Sequence, residues 1–139
     1  MTPKPADEWM NFALDDLESG EWLFCGNRFT TACFHAQQAA EKALKGFLVE
    51  HNVSYPQTHN LYALNKLCRN IDNTFGGLET KLALLTQFYV PARYPDAAVG
   101  MTPKGMPDKD IAREALDYAR EIFDLCSEKM RTFRETGDA

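Results

Sequence analysis

The sequence lacks the features that identify several classes of protein. It contains no run of about 18 apolar residues, and its N-terminal segment has no apolar signal core. We therefore expect no membrane span and a cytoplasmic location. No two cysteines have the C-x-x-C spacing, so a zinc site has little support. All the cysteines are interpreted as small core side chains in a reducing compartment. They are Cys25, Cys33, Cys68 and Cys126.

Positive charge is also scarce. The chain has 15 Lys and Arg against 20 Asp and Glu, which gives a formal net charge of -5 and a pI of about 5.2. This balance argues against a general binder of nucleic acid or anionic membranes, because such proteins carry an electropositive footprint. A local basic patch remains compatible with it. The 139 residues, 45% hydrophobic and 25% charged, fit one globular domain with its own core.

Period-two alternation typical of strands is absent, and so are internal repeats, whereas helical spacing recurs along the chain. The pattern predicts helices at about residues 8–25, 28–51, 59–71, 78–91 and 108–133, with Asp7 and Thr58 as caps of the first and third. Pro91 and Pro95 are expected to end the fourth helix. We expect an all-α fold, an up-and-down antiparallel four-helix bundle with one additional short helix. The predicted domain covers 7–133, and 1–6 and 134–139 are expected to be flexible tails.

The second predicted helix carries a stripe of small residues on one side. The stripe comprises Ala32, Ala36, Ala39 and Ala43, and Phe47 follows them on the same side. Alanines in such a row let another helix approach closely. The stripe therefore predicts tight packing, in the core or between two copies, rather than chemistry.

A polar stripe about 25 Å long runs beside the alanines. It comprises Arg28, His35, Gln38, Lys42 and Lys45. One interpretation is a solvated helix face on which Glu41 pairs with Lys45 at the favourable i, i+4 spacing. The other is a surface that contacts the phosphate of a nucleotide, since every side chain in the stripe can donate a hydrogen bond.

Two further places combine residue types suited to a nucleotide. His59 follows Thr58 at the predicted start of the third helix, where it either bonds to neighbouring backbone or helps to hold an anion. The longest predicted loop, 92–107, contains Arg93, Tyr94 and Asp96. The guanidinium of Arg93 could bind a phosphate, the Tyr94 ring could stack on a base and the Asp96 carboxylate could bind hydroxyl groups. The same residues suit a purely structural turn equally well. Glu41 and Asp96 are weak support for a metal, and none is predicted.

Three segments carry a resemblance to a known family. Residues 34–45 read F-H-A-Q-Q-A-A-E-K-A-L-K, residues 58–61 read T-H-N-L, and residues 92–96 read A-R-Y-P-D. They resemble three motifs of the HEPN family (higher eukaryote and prokaryote nucleotide-binding domains). The first segment resembles its Gln-Gln-Ala-Ala-Glu-Lys core, with the aromatic residue before it and the lysine after it. The second resembles the Thr-His-x-Leu start of its third helix, and the last resembles its Arg-Tyr-Pro segment. Asp15-Asp16-Leu17 is a weaker match.

This resemblance implies a five-helix fold, often dimeric, and two functional modes. Many HEPN proteins are toxins that cleave RNA with an Arg-x4-6-His motif, and others pair with a small nucleotidyltransferase in systems that resemble toxin–antitoxin pairs. No histidine follows Arg93, because the histidines of the chain are His35, His51 and His59. Arg28 and His35 have the spacing of the motif, but they lie on the second predicted helix.

The leading hypothesis is therefore a HEPN homodimer that binds a nucleotide or nucleic-acid phosphate and cooperates with a nucleotidyltransferase. No cofactor is expected beyond the nucleotide as a ligand. The expected contact residues are Arg28, His35, Gln38, Lys42, Lys45, His59, Arg93 and Tyr94. One alternative is a metal-independent RNase toxin in which Arg28 and His35 act together. The other is a non-catalytic scaffold or antidote for a protein partner.

Overall fold

The computed structural model describes residues 4–89 and 106–137. Across these ranges it contains helices and no strand, which confirms the all-α prediction. The α-helices are α1 (Pro5–Cys25), α2 (Phe29–Glu50), α3 (Leu61–Ile71), α4 (Glu79–Thr86) and α5 (Lys109–Thr136). A 3-10 helix, Asn73–Gly77, joins α3 to α4.

Helix α2 lies at the centre of the fold and packs against α1, α5, α3 and α4. A short turn joins α1 to α2, and Asn27 adopts a left-handed conformation there (φ 61°), which asparagine tolerates better than most residues. The two helices run antiparallel, since Gly20 near the end of α1 lies beside Ala32 near the start of α2. The most extensive packing of α2 is with α1 and α5, and α3 and α4 add smaller contacts.

Small residues recur every seven positions on both α1 and α2, and all of them are buried. They are Ala6, Ala13 and Gly20 on α1, and Ala32, Ala39 and Gly46 on α2. A Cβ added at Gly20 would stand 2.6 Å from the Leu116 side chain, and one added at Gly46 would stand 2.9 Å from the Met10 sulfur. The close approach predicted from the alanine stripe is confirmed, and it serves the core of one chain.

Both predicted helix caps were wrong. Helix α1 begins at Pro5, after Lys4, so Asp7 lies inside the first turn, where its charge favours the helix dipole. The cap of α3 is Asn60, whose side chain accepts a hydrogen bond from the Ala63 amide at 3.2 Å. Thr58 instead accepts a hydrogen bond from the Asn60 amide at 3.0 Å, which orients the capping residue.

Helix α4 is shorter than predicted and ends at Thr86 rather than 91. Its last turn tightens, because the amides of Gln87 and Phe88 donate to carbonyls three residues earlier, those of Leu84 and Leu85. The tightening places Phe88 in the core, with 1% of its surface exposed. A sequence pattern of apolar residues does not distinguish this turn from a continuing α-helix.

Part of each segment predicted as a flexible tail is helical. Residues 5 and 6 belong to α1, and α5 continues to Thr136. Arg134 pairs with Glu50 of α2 and lies 2.9 Å from the Asp7 carboxylate of α1. Near the other end of α5, Arg113 makes two hydrogen bonds with Glu21 of α1, at 2.5 and 3.0 Å. Ion pairs with other helices thus hold α5 near both of its ends.

Three cysteines lie in the core as predicted, but Cys25 is exposed at the end of α1. Burial, together with the nearby Asp108 charge, raises the pKa of the Cys33 thiol to about 12, so this thiol is not a reactive nucleophile at neutral pH. Among residues 4–89 and 106–137, no helix has the length and apolarity that crossing a membrane requires.

Candidate functional site

A polar cluster lies where α1 packs against α2, and it is centred on the carboxylate of Asp16. One oxygen of Asp16 lies 2.8 Å from Nδ1 of His35, and the other lies 2.5 Å from Nζ of Lys42. His35 and Lys42 are seven residues apart on α2 and share one side of the helix, so a single carboxylate from α1 reaches both. We call this surface, Asp16 with His35 and Lys42, the α1–α2 face.

Asp16 is ionised in this arrangement. Burial by itself would raise the pKa of the carboxyl, but the hydrogen bonds from His35 and Lys42 and their charges outweigh that effect. The pKa of Asp16 therefore lies below its ordinary value. The carboxylate supplies a fixed negative charge behind the two α2 side chains, which remain about one quarter exposed (27% for His35 and 26% for Lys42).

A second cluster is centred on Glu41, which is buried on α2 directly before Lys42. Its carboxylate accepts hydrogen bonds from Lys45 at 3.1 Å and from Gln37 at 3.3 Å. Nδ1 of His59, in the loop before α3, lies 2.9 and 3.1 Å from the two oxygens. Gln38 continues the network by donating a 2.7 Å hydrogen bond from its side-chain amide to Oε1 of Gln37.

Lys45 is enclosed rather than solvent-facing, with 8% of its surface exposed. Its ammonium lies 5.5 Å from the ring centre of Trp9 and 5.8 Å from that of Tyr55, within the range of cation–π attraction. The expected ion pair with Glu41 is present. Lys45 thus neutralises a buried carboxylate, and the sequence prediction of an open basic stripe along α2 does not hold at this position.

His59 bonds to a side chain rather than to neighbouring backbone. Its ring stacks on Tyr89 with centres 4.3 Å apart and planes 17° apart, while Glu41 holds its Nδ1. The side chain remains 51% exposed. Two separate contacts therefore fix the orientation of an imidazole that solvent can reach.

His35 and His59 share one hydrogen-bonding arrangement. An ionised carboxylate only accepts hydrogen bonds, so the Nδ1 of each ring carries the proton and donates it to Asp16 or Glu41. Within the described ranges, Nε2 of neither ring has a hydrogen-bond partner. Each Nε2 can accept a proton when the ring is neutral and can donate one when the ring is charged.

The remaining predicted site residues are not gathered here. Arg28 is the exposed residue that precedes α2, and no hydrogen bond or ion pair joins it to His35 among the described side chains. Arg93 and Tyr94, with the neighbouring Asp96, lie outside the described residues. Over the same ranges, no group of three or more His, Cys, Asp or Glu side chains is placed to hold a metal ion.

Sequence reasoning missed the residues that hold the site from other elements. Trp9, Asp16 and Tyr89 lie far along the chain from the residues of α2 that they serve, Tyr55 lies in the loop after α2, and no helical spacing rule connects any of them to it. The Asp15-Asp16-Leu17 segment was a signal for Asp16, since it matched the family weakly. Glu41 was visible as the i, i+4 partner of Lys45, but its contact with His59 was not.

Comparison with known proteins places this arrangement in a family. No curated protein matches the chain significantly. A crystal structure of an archaeal HEPN homologue is similar with a TM-score of 0.72 and 26% identity, covering 92% of this chain and 99% of that one. A crystal structure from Thermus thermophilus is similar with a TM-score of 0.72 and 29% identity, covering 91% and 99%. Because the family model of the HEPN domain matches residues 6–130, the chain belongs to the HEPN family.

Proposed function

We propose that this HEPN domain binds the phosphate of a nucleotide or nucleic acid on the α1–α2 face. The observation that carries the proposal is the pairing of each partly exposed histidine with a buried carboxylate, which holds Nδ1 and leaves Nε2 without a hydrogen-bond partner among the described residues. His35 and Lys42 are the central contacts. Gln38 and His59 extend the surface, while Lys45 acts by neutralising Glu41.

Each carboxylate holds the Nδ1 of its imidazole, so Nε2 is the nitrogen that can meet a ligand. A charged His35 donates through Nε2, and the Lys42 ammonium has two further N–H groups after its bond to Asp16. Charge-assisted hydrogen bonds to a phosphate are stronger than neutral ones. The face therefore supplies local donors on a protein whose net charge is -5.

The first prediction concerns affinity for a phosphate ligand. His35→Ala and Lys42→Ala are each expected to weaken binding of adenosine 5′-monophosphate about tenfold, since each removes one charge-assisted hydrogen bond. Isothermal titration calorimetry measures the change. Lys66→Ala is the matched control, because Lys66 is exposed on α3, away from this face. Unchanged affinity in a folded Lys42→Ala protein contradicts the proposal.

Two parts of the proposal concern assembly. We propose a homodimer, and a small nucleotidyltransferase as the cooperating protein in a system that resembles a toxin–antitoxin pair. Their support is the family resemblance of the sequence. A nucleotidyltransferase reading frame beside the gene and co-purification of the two proteins are the expected observations, and a partner-free chain in its native host counts against the pairing.

A second candidate function, metal-independent cleavage of RNA, is favoured by the same histidine arrangement. A carboxylate that holds Nδ1 fixes the tautomer whose Nε2 accepts a proton, as general base catalysis requires. If this function holds, the protein cleaves RNA in the presence of EDTA. His35→Ala and Asp16→Asn are then each expected to lower the cleavage rate by about 100-fold or more, which is the usual contribution of a general acid or base. If the folded wild type does not cleave RNA, this second function is wrong and only the binding function remains.

A further inference from the structure

A large aromatic side chain next to the α1–α2 face is exposed to solvent. Phe12 of α1 has 61% of its surface exposed, although a phenylalanine is ordinarily buried. It lies one turn before Asp16, the carboxylate that holds His35 and Lys42. Side chains four apart on a helix are neighbours, with Cβ atoms about 5–6 Å apart.

The antiparallel pairing of the helices fixes what lies opposite this ring. Trp9, one turn before Phe12, contacts Lys45 of α2, and Asp16, one turn after it, contacts Lys42 and His35. Trp9, Phe12 and Asp16 follow the spacing of one helix face. Phe12 is therefore flanked on α1 by the two residues that meet the polar side of α2, and it lines a surface pocket with Pro5, Glu8 and Trp9.

We propose that Phe12 is the stacking platform for the base of a nucleotide whose phosphate lies on His35 and Lys42. The inference rests on the proposed function and adds the group that distinguishes a nucleotide from a bare phosphate. Aromatic rings beside cationic side chains are how proteins hold single-stranded nucleic acid without reading its sequence, since every base has a flat face. The ligand class is thus a nucleotide or a single-stranded nucleic acid, bound with little base preference.

The surroundings of Phe12 favour a small flat ligand over a second protein chain. Its exposed neighbours on α1 include the polar Glu8, Asn11 and Asp15, and Pro5 and the partly exposed Trp9 line a pocket beside it. The other large exposed hydrophobic side chains of the described residues, Trp22, Tyr62 and Met106, stand on other parts of the surface or other elements. A stable protein interface buries about 800 Å² per partner around an apolar centre. Phe12 with Pro5 and Trp9 provides a surface for a base but too little apolar area for a dimer.

The test compares two ligands that differ only by the base. Adenosine 5′-monophosphate and ribose 5-phosphate are titrated separately into the wild type and into Phe12→Ala. We expect Phe12→Ala to weaken binding of the nucleotide about tenfold and to leave binding of ribose 5-phosphate unchanged, because stacking accounts for the difference. Phe12→Trp is expected to retain or improve nucleotide affinity. Trp22→Ala removes a ring that is 83% exposed on the same helix and is expected to change neither affinity.

The other outcomes separate this inference from the function on which it rests. If the wild type binds both ligands equally well, the phosphate site stands and the stacking role is wrong. Equal losses for both ligands in Phe12→Ala also overturn it, since they show an effect on the face as a whole. If Phe12→Ala converts a dimer to a monomer, the ring contacts a second copy of the chain instead of a base, and the inference is wrong. If the wild type binds neither ligand, both the inference and the proposed function fail.

Discussion

Replacing Glu41 with alanine is expected to lower the free energy of unfolding by about 3–5 kcal/mol, because it leaves a buried charge without its partner. Lys45 is 8% exposed and its ammonium lies 3.1 Å from the Glu41 carboxylate. The Trp9 and Tyr55 rings that flank it attract a cation, but they do not replace a carboxylate. Equilibrium unfolding in urea measures the loss, and the His59–Tyr89 stack is expected to loosen with it.

Two controls make the result specific to the pair. Glu18→Ala removes an exposed carboxylate of α1 and is expected to change stability by less than about 0.5 kcal/mol. Glu41→Gln combined with Lys45→Met removes both charges at similar volume, and it is expected to recover most of the stability lost by Glu41→Ala. If Glu41→Ala costs no more than Glu18→Ala, the carboxylate does not compensate Lys45 in solution.

The architecture of the site was largely predictable where one helix contains the information. The alanines of α2 repeat with the period of a helix, and burial of such a stripe requires only that some other helix pack there. The i, i+4 pair of Glu41 and Lys45 was predictable for the same reason. Helical periodicity and local pairing act within a few residues, so they can be read from one segment of sequence.

The exposure of the polar stripe was not predictable, because it depends on contacts between distant segments. Lys45 is on the polar side of α2, yet Trp9 and Tyr55 cover it from two other elements. Lys42 and His35 remain partly accessible, because α1 meets their polar ends through the compact Asp16 side chain. The helix ends were missed for a related reason: Asn60 caps α3 rather than Thr58, although both residues are suitable caps.

Ala39→Leu is expected to destabilise the protein by about 3 kcal/mol, at the upper end of the range for overpacked cores. Ala39 is fully buried on the side of α2 that faces α1, in the seven-residue repeat with Ala32 and Gly46. Gly46 shows how little room remains, since one added carbon there would stand 3.2 Å from the Trp9 Cβ. A leucine adds three carbons, so α1 and α2 must separate or the side chain must adopt a strained rotamer.

The same substitution tests whether helix spacing positions the functional face. Separation of α1 from α2 moves Asp16 away from His35 and Lys42, whose contacts of 2.8 and 2.5 Å leave no tolerance for a shift of an ångström. We therefore expect Ala39→Leu to weaken binding of adenosine 5′-monophosphate as well as to lower the urea midpoint. Ala83→Leu, at an exposed position of α4, makes the same chemical change and is expected to alter neither. A folded Ala39→Leu protein with lower stability but wild-type affinity would mean that the face binds its ligand without the support of Asp16.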